Sequence, residues 1–178
     1  METSLDRVDW RDRLRTLFDG TLRSDASWSR PNRRYIQHGI LLPGWQRTGA
    51  GTVAFVLDTS GSISTQELGL YSGNLLGIIE ETCPREIILI QCDAAVRRVE
   101  YLGLGESFDR IEVEGRGGTH FQPAFDWIAA NAPHANIIIY ATDLCSSDTP
   151  ADPGTPVIWL TPTRGRSVPF GEIVHVKP

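Results

Sequence analysis

At 178 residues, with 40% hydrophobic and 22% charged residues, the chain has the makeup of one globular domain with a sizeable core, which excludes a disordered or fibrous chain and leaves no room for a second full domain. Its three cysteines, Cys83, Cys92 and Cys145, form no CxxC pair, which argues against a disulfide framework or thiolate zinc site and fits a reducing compartment. The net charge of −5 is unevenly divided, with nine arginines against six acidic residues in 1–50 and eight basic against sixteen acidic residues in 51–178; an acidic main part whose only lysine is Lys177 suits cations, not a phosphate backbone, so nucleic acid is not an expected partner.

The N-terminus carries Asp6, Asp9 and Asp12 where a signal peptide needs an apolar stretch, and no run of about 18 apolar residues follows. A cytoplasmic location without membrane association is expected. Leu5, Val8, Leu14, Leu17 and Phe18 recur at helical spacing and predict a short amphipathic helix within 4–19, its Arg and Asp residues forming a solvated face. From Ser24 to Gly51 the pattern is irregular, and Trp28 and Trp45 suggest that the segment 1–50 packs onto a main domain formed by 51–178.

Val53 to Leu57 is a continuous apolar run of strand length, ending in Asp58. Ser64-Thr65-Gln66-Glu67 reads as a capping box that opens a helix through Leu68, Tyr71, Leu75, Ile78 and Ile79, until Pro84 forbids it. Ile87 to Cys92 is a second buried strand, ending in Asp93, and Val96 to Leu102 predicts an antiparallel edge with Arg97, Arg98 and Glu100. A glycine-rich loop, Gly115 to Gly118, precedes a helix carrying Phe121, Phe125, Ile128 and Ala129. Ile137 to Thr142 is a third buried strand, ending in Asp143; Val157 to Leu160 and Ile173 to Val176 are the last two. Such alternation predicts an α/β fold, a doubly wound, mostly parallel sheet with helices on both faces, whose ligands bind beyond the carboxyl ends of the strands. Three buried strands that each finish in an aspartate point to a cation there.

Asp58-Thr59-Ser60-Gly61-Ser62 places a carboxylate and two hydroxyls on alternate residues of a strand-to-helix loop. Oxygen ligands of this hardness favour Mg²⁺ or Mn²⁺ over zinc. Taken alone, the same residues also suit a turn and a helix cap. Together with Gly117-Gly118-Thr119 and Thr142-Asp143, in that order, they resemble the metal-ion-dependent adhesion site of the von Willebrand factor A family over residues 51–178. Within that superfamily the blocks Ser27 to Arg34 and Gly117 to Phe125 are similar to a bacterial VWA-like domain that follows a metallopeptidase-like domain. No HExxH occurs in the chain, so the peptidase-like part is expected to be absent or lost, and no peptidase activity is carried over.

The resemblance implies a metal site of Asp58, Ser60, Ser62, Thr119 and Asp143. Ser60 and Ser62 would be constant ligands, Thr119 and Asp143 would alternate between direct and water-mediated contact, and Asp58 would accept hydrogen bonds from metal-bound water. An open coordination position would receive an Asp or Glu from a protein partner, which the family suggests is a MoxR-type AAA+ ATPase. Asp93 lies outside the family's set and reads as a hairpin cap; His120 reads as a surface residue or a neighbour of the ligands. Cys145 and Ser146 either rim the partner surface or belong to an ordinary loop. The rival function is a Mg²⁺-dependent phosphohydrolase with Asp58 as nucleophile. That chemistry usually needs a carboxylate two residues on and a lysine, whereas residue 60 is Ser and the sole lysine is Lys177. A serine hydrolase is weaker still, since Ser60 lacks a G-x-S-x-G elbow. A non-enzymatic binding module is expected.

Overall fold

In a computed structural model of the chain the described residues are 16, 26–27, 44–45, 50–82, 84–103, 114–115 and 117–176. Two short strands, β1 (Ala26–Ser27) and β2 (Gly44–Trp45), pair antiparallel. The helix expected within 4–19 and the packing expected of residues 24–51 otherwise lie outside the described residues.

The main elements follow the apolar runs. They are β3 (Ala50–Asp58), α1 (Thr65–Thr82), β4 (Pro84–Cys92), β5 (Val96–Gly103), α2 (Gln122–Asn131), β6 (Ala135–Ala141), β7 (Val157–Thr161) and β8 (Glu172–His175). Among the described residues six strands form one sheet in the order β5-β4-β3-β6-β7-β8. All neighbours are parallel except the β4–β5 hairpin, which puts the charged strand at an edge. The fold is thus α/β with a mostly parallel sheet. From β3 the chain proceeds outward to β4 and later returns to β6 on the other side, so strand order reverses at β3, where sheets of this type open a crevice at their carboxyl ends.

Side chains alternate across the sheet, and each face has its own core. Val53, Phe55 and Leu57 of β3 share one cluster with Tyr71 and Leu75 of α1. Ala54 and Val56 share the other with Phe121, Ala124, Phe125 and Ile128. On this second face Tyr140 and Trp159 stack with ring centroids 5.1 Å apart, and Phe121 meets both edge-on at 5.3 Å. Aromatic pairs in these geometries add about 0.5–1.5 kcal/mol beyond the area they bury. They stiffen β6 and β7 directly below the loop that carries Asp143.

Among the described residues each face carries one helix, and the connections after β6 and β7 are irregular. No described helix is long and apolar enough to cross a membrane.

The start of α1 is the predicted capping box. Glu67 N donates to Ser64 Oγ at 3.2 Å, and Ser64 N donates to Glu67 Oε2 at 2.8 Å. Two orphan donors of the first turn are satisfied reciprocally, which fixes where the helix begins relative to the loop from Asp58.

Candidate metal centre

Because β4, β3 and β6 are adjacent, Asp93, Asp58 and Asp143 lie at neighbouring strand ends, and all three are buried. Asp58 is 0% exposed. Its Oδ1 accepts from Ser60 N at 2.9 Å, and its Oδ2 accepts from Thr142 Oγ1 at 2.6 Å. Thr142 Oγ1 accepts in turn from Leu144 N at 3.1 Å. Burial pushes the Asp58 carboxyl upward, the hydrogen bonds from Thr142 and Ser60 pull it back, and the charge of Asp143 raises it further. A cation nearby would offset both the burial and the like charge.

Ser60 Oγ and Ser62 Oγ stand 3.0 Å apart. Adjacent ligands of an octahedron with metal–oxygen distances of about 2.0–2.1 Å are separated by about 2.9 Å, so the two hydroxyls fit neighbouring corners around Mg²⁺. Ser60 is buried and Ser62 exposed, as expected at the floor and rim of a site that opens to solvent. Among the described residues no three carboxylate, imidazole or thiol groups converge. A metal at this place would therefore depend on hydroxyl oxygens, which the serine pair provides.

The other two predicted residues lie on separate loops that are linked in series to the first. Gly61 N donates to Gly117 O at 3.1 Å, tying the serine loop to the glycine loop two residues before Thr119. Ser146 Oγ donates to Thr119 O at 3.0 Å, tying that loop to the segment after Asp143. Thr119 itself is half-buried. Gly115 has φ +131°, and a Cβ there would lie 2.5 Å from Thr59 Oγ1, so the close approach of the two loops requires glycine.

Asp143 Oδ1 accepts from Cys145 N at 2.9 Å, across Leu144 at φ +57°. A non-glycine residue in the left-handed region is strained. Burial of the Leu144 side chain in the α2-face cluster opposes that strain and holds the turn.

His120 is exposed, its Nδ1 3.9 Å from Asp148 Oδ2. Cys145 is exposed, and Arg166 Nη2 reaches its sulfur at 3.7 Å. Asp93 does cap the β4–β5 hairpin, accepting from Ala95 N at 3.1 Å, but it also reaches the glycine loop.

Sequence reasoning missed the part that three residues play. Thr142 holds Asp58, and only the β3–β6 pairing puts it there. Asp148 Oδ2 accepts from Phe121 N at 2.7 Å and Gln122 N at 3.2 Å, capping α2 from a loop 27 residues on. The available signal was negative: Phe121, before the helix, offers no side-chain cap. Tyr71 is fully buried on α1 with no partner for its hydroxyl among the described residues, and burial pushes its phenol upward, with Glu67, Asp143 and Asp58 adding to the effect.

The strand order, the serine loop after the first long strand and the aspartate after β6 define a domain of von Willebrand factor A type. Residues 53–177 match the family model described as "VWA-like domain (DUF2201)", and the chain belongs to this family. Residues 2–48 match a second model, described as "Putative metallopeptidase domain". The chain therefore carries sequence similar to that domain, which corrects the expectation that the peptidase-like part is absent. An uncharacterized protein of Thermotoga maritima is 36% identical over 122 residues, which is 67% of this chain and 29% of that protein. The chain thus spans under a third of the length of that curated relative.

Proposed function

We propose that this domain is a protein-binding module that holds Mg²⁺ or Mn²⁺ at Ser60, Ser62, Thr119, Asp143 and Asp58, and takes a partner's Asp or Glu as the last ligand. The single observation that carries this reading is the serine pair, 3.0 Å apart, beside a buried Asp58 whose oxygens are both hydrogen-bonded. The descriptions of both matched families are compatible with a metal-related role. When bound, the metal supplies a positive charge with an open oxygen position.

The chain's own groups do the rest. Ser60 N and Thr142 Oγ1 orient Asp58, Asp58 carries negative charge under the serine pair, and the exposed Ser62 marks where a partner enters. Burial of Asp58 favours binding over nucleophilic attack by its carboxylate, because a group with no exposed surface offers a bulky phosphate ester no approach, whereas a small ion and its water can be enclosed beside it. The partner we expect from the family resemblance is a MoxR-type AAA+ ATPase.

Affinity capture with the wild-type chain as bait, in Mg²⁺ and in EDTA, tests the reading. Retention of the ATPase in Mg²⁺ and its loss in EDTA are expected. Equal capture in both buffers would overturn the metal bridge, and turnover of generic phosphate esters that Asp58→Asn abolishes would replace it with the phosphohydrolase.

A further inference from the structure

The aspartate at the end of β4 makes more bonds than a hairpin cap needs. Asp93 Oδ1 accepts from Ala95 N at 3.1 Å and from Arg97 Nε at 2.8 Å, which closes the β4–β5 turn. Its second oxygen leaves the hairpin altogether, and Oδ2 accepts from Gly117 N at 3.1 Å, 24 residues further along the chain. The Asp93 main-chain oxygen accepts from His120 N at 3.1 Å. Gly117 and His120 stand on either side of Gly118 and Thr119, so one residue grips the loop both before and after the threonine.

The grip is close. A Cβ on Gly117 would come within 2.8 Å of Asp93 Oδ2, so that carboxylate bears directly on the glycine backbone. A lone hairpin would be served by one oxygen, and among the described residues the second bonds only to the glycine loop. Asp93 is 1% exposed, whereas Arg97 is 46% exposed on the edge strand, so the carboxylate is fixed and its cationic neighbour is accessible to substitution.

We propose that Asp93 is a positioning residue for the metal site: it bonds to none of the proposed ligands, but sets the height and orientation at which the glycine loop offers Thr119 to the metal, with Arg97 steadying its carboxylate. The inference rests on the metal reading of the site given above. Groups that orient metal ligands from behind typically change metal affinity by about 10–100-fold when lost, and a residue that acts through Thr119 has nothing left to act on once the threonine hydroxyl is gone. A double-mutant cycle isolates that dependence.

The test is Mn²⁺ binding to the full chain, followed by the electron paramagnetic resonance signal of free Mn²⁺, for wild type, Asp93→Asn, Thr119→Ala and the double variant. We expect about a tenfold or greater loss for Asp93→Asn, and a double variant no weaker than Thr119→Ala within about twofold. Losses that multiply in the double variant would show that Asp93 acts on the fold in general, and would overturn the positioning role. A wild-type chain that takes up no Mn²⁺ would instead sink the metal reading, and the positioning role with it. Should Asp93→Asn fail to fold by far-UV circular dichroism, Arg97→Gln takes its place. Its smaller loss of affinity must likewise vanish in the Thr119→Ala background, and persistence there would overturn the proposal.

Discussion

Thr142 Oγ1 donates to Asp58 Oδ2 at 2.6 Å, joining residues 84 positions apart at the ends of two adjacent parallel strands. Both are 0% exposed, so neither can exchange its partner for water. Thr142→Val keeps the shape and removes the hydroxyl, stripping Asp58 Oδ2 of its donor and Leu144 N of its acceptor. A buried polar group left unpaired costs about 1–3 kcal/mol, so denaturant titration should show destabilisation of at least that order. Thr142→Ser should stay near wild type. A valine variant as stable as wild type would mean that this hydrogen bond contributes nothing to the fold.

Metal should stabilise the native chain by mass action, since the proposed ligands come from three loops that only folding assembles. At a free metal concentration of about 100 times Kd the gain is about 2.7 kcal/mol. Thermal melts in millimolar Mg²⁺ or Mn²⁺ should therefore lie above melts in EDTA. Superimposable melts over the whole concentration range would argue that no site is filled.

The serine pair offers the cleanest separation of metal binding from stability. Asp58→Ala would leave Ser60 N and Thr142 Oγ1 buried without their acceptor, so it confounds the two. Ser60→Ala with Ser62→Ala removes a mutual hydrogen bond at a loop, one member of which is exposed, together with the Ser60 side-chain bond to Asp58, and should cost about 2 kcal/mol. We expect this double variant to fold, to lose the Mg²⁺-dependent rise in melting temperature and to release the partner. Thr119→Ala should weaken both in a graded way, because water can replace its hydroxyl. Undiminished metal stabilisation in the serine variant would move the site elsewhere.

Asp93 gives the fold an acid-side dependence. Burial alone would raise its carboxyl, but the hydrogen bonds from Arg97, Ala95 N and Gly117 N outweigh that and hold it down at about 2, against an ordinary value of 3.8. Its folded pKa lies below its unfolded one, so the stabilisation is complete above the unfolded value and is lost as pH falls from there through the folded value. The lowered pKa corresponds to about 2 kcal/mol. Unfolding free energy measured between pH 5 and pH 2 should fall less steeply for Asp93→Asn than for wild type. Parallel profiles would refute this assignment.

Local chemistry determined much of what was legible in the sequence. Apolar runs of strand length marked β3, β4 and β6, because a strand buried on both faces has no polar side to show. Ser64 and Glu67 marked the start of α1 because a capping box needs only residues three apart. The order of Asp58-x-Ser60-x-Ser62, Thr119 and Asp143 was also visible, but as a candidate metal site only through its resemblance to the metal-ion-dependent adhesion site. Tertiary structure alone decided which ends meet. Apolar periodicity says that a strand is buried but not which strand lies beside it, so the pairing of β3 with β6 could not be read, and with it the role of Thr142. The same holds for Asp148 at the start of α2 and for the second oxygen of Asp93 on Gly117: each bond joins residues more than twenty positions apart, with whole elements between them. Such partners are selected by the packing of the whole sheet, a property that no window of sequence contains.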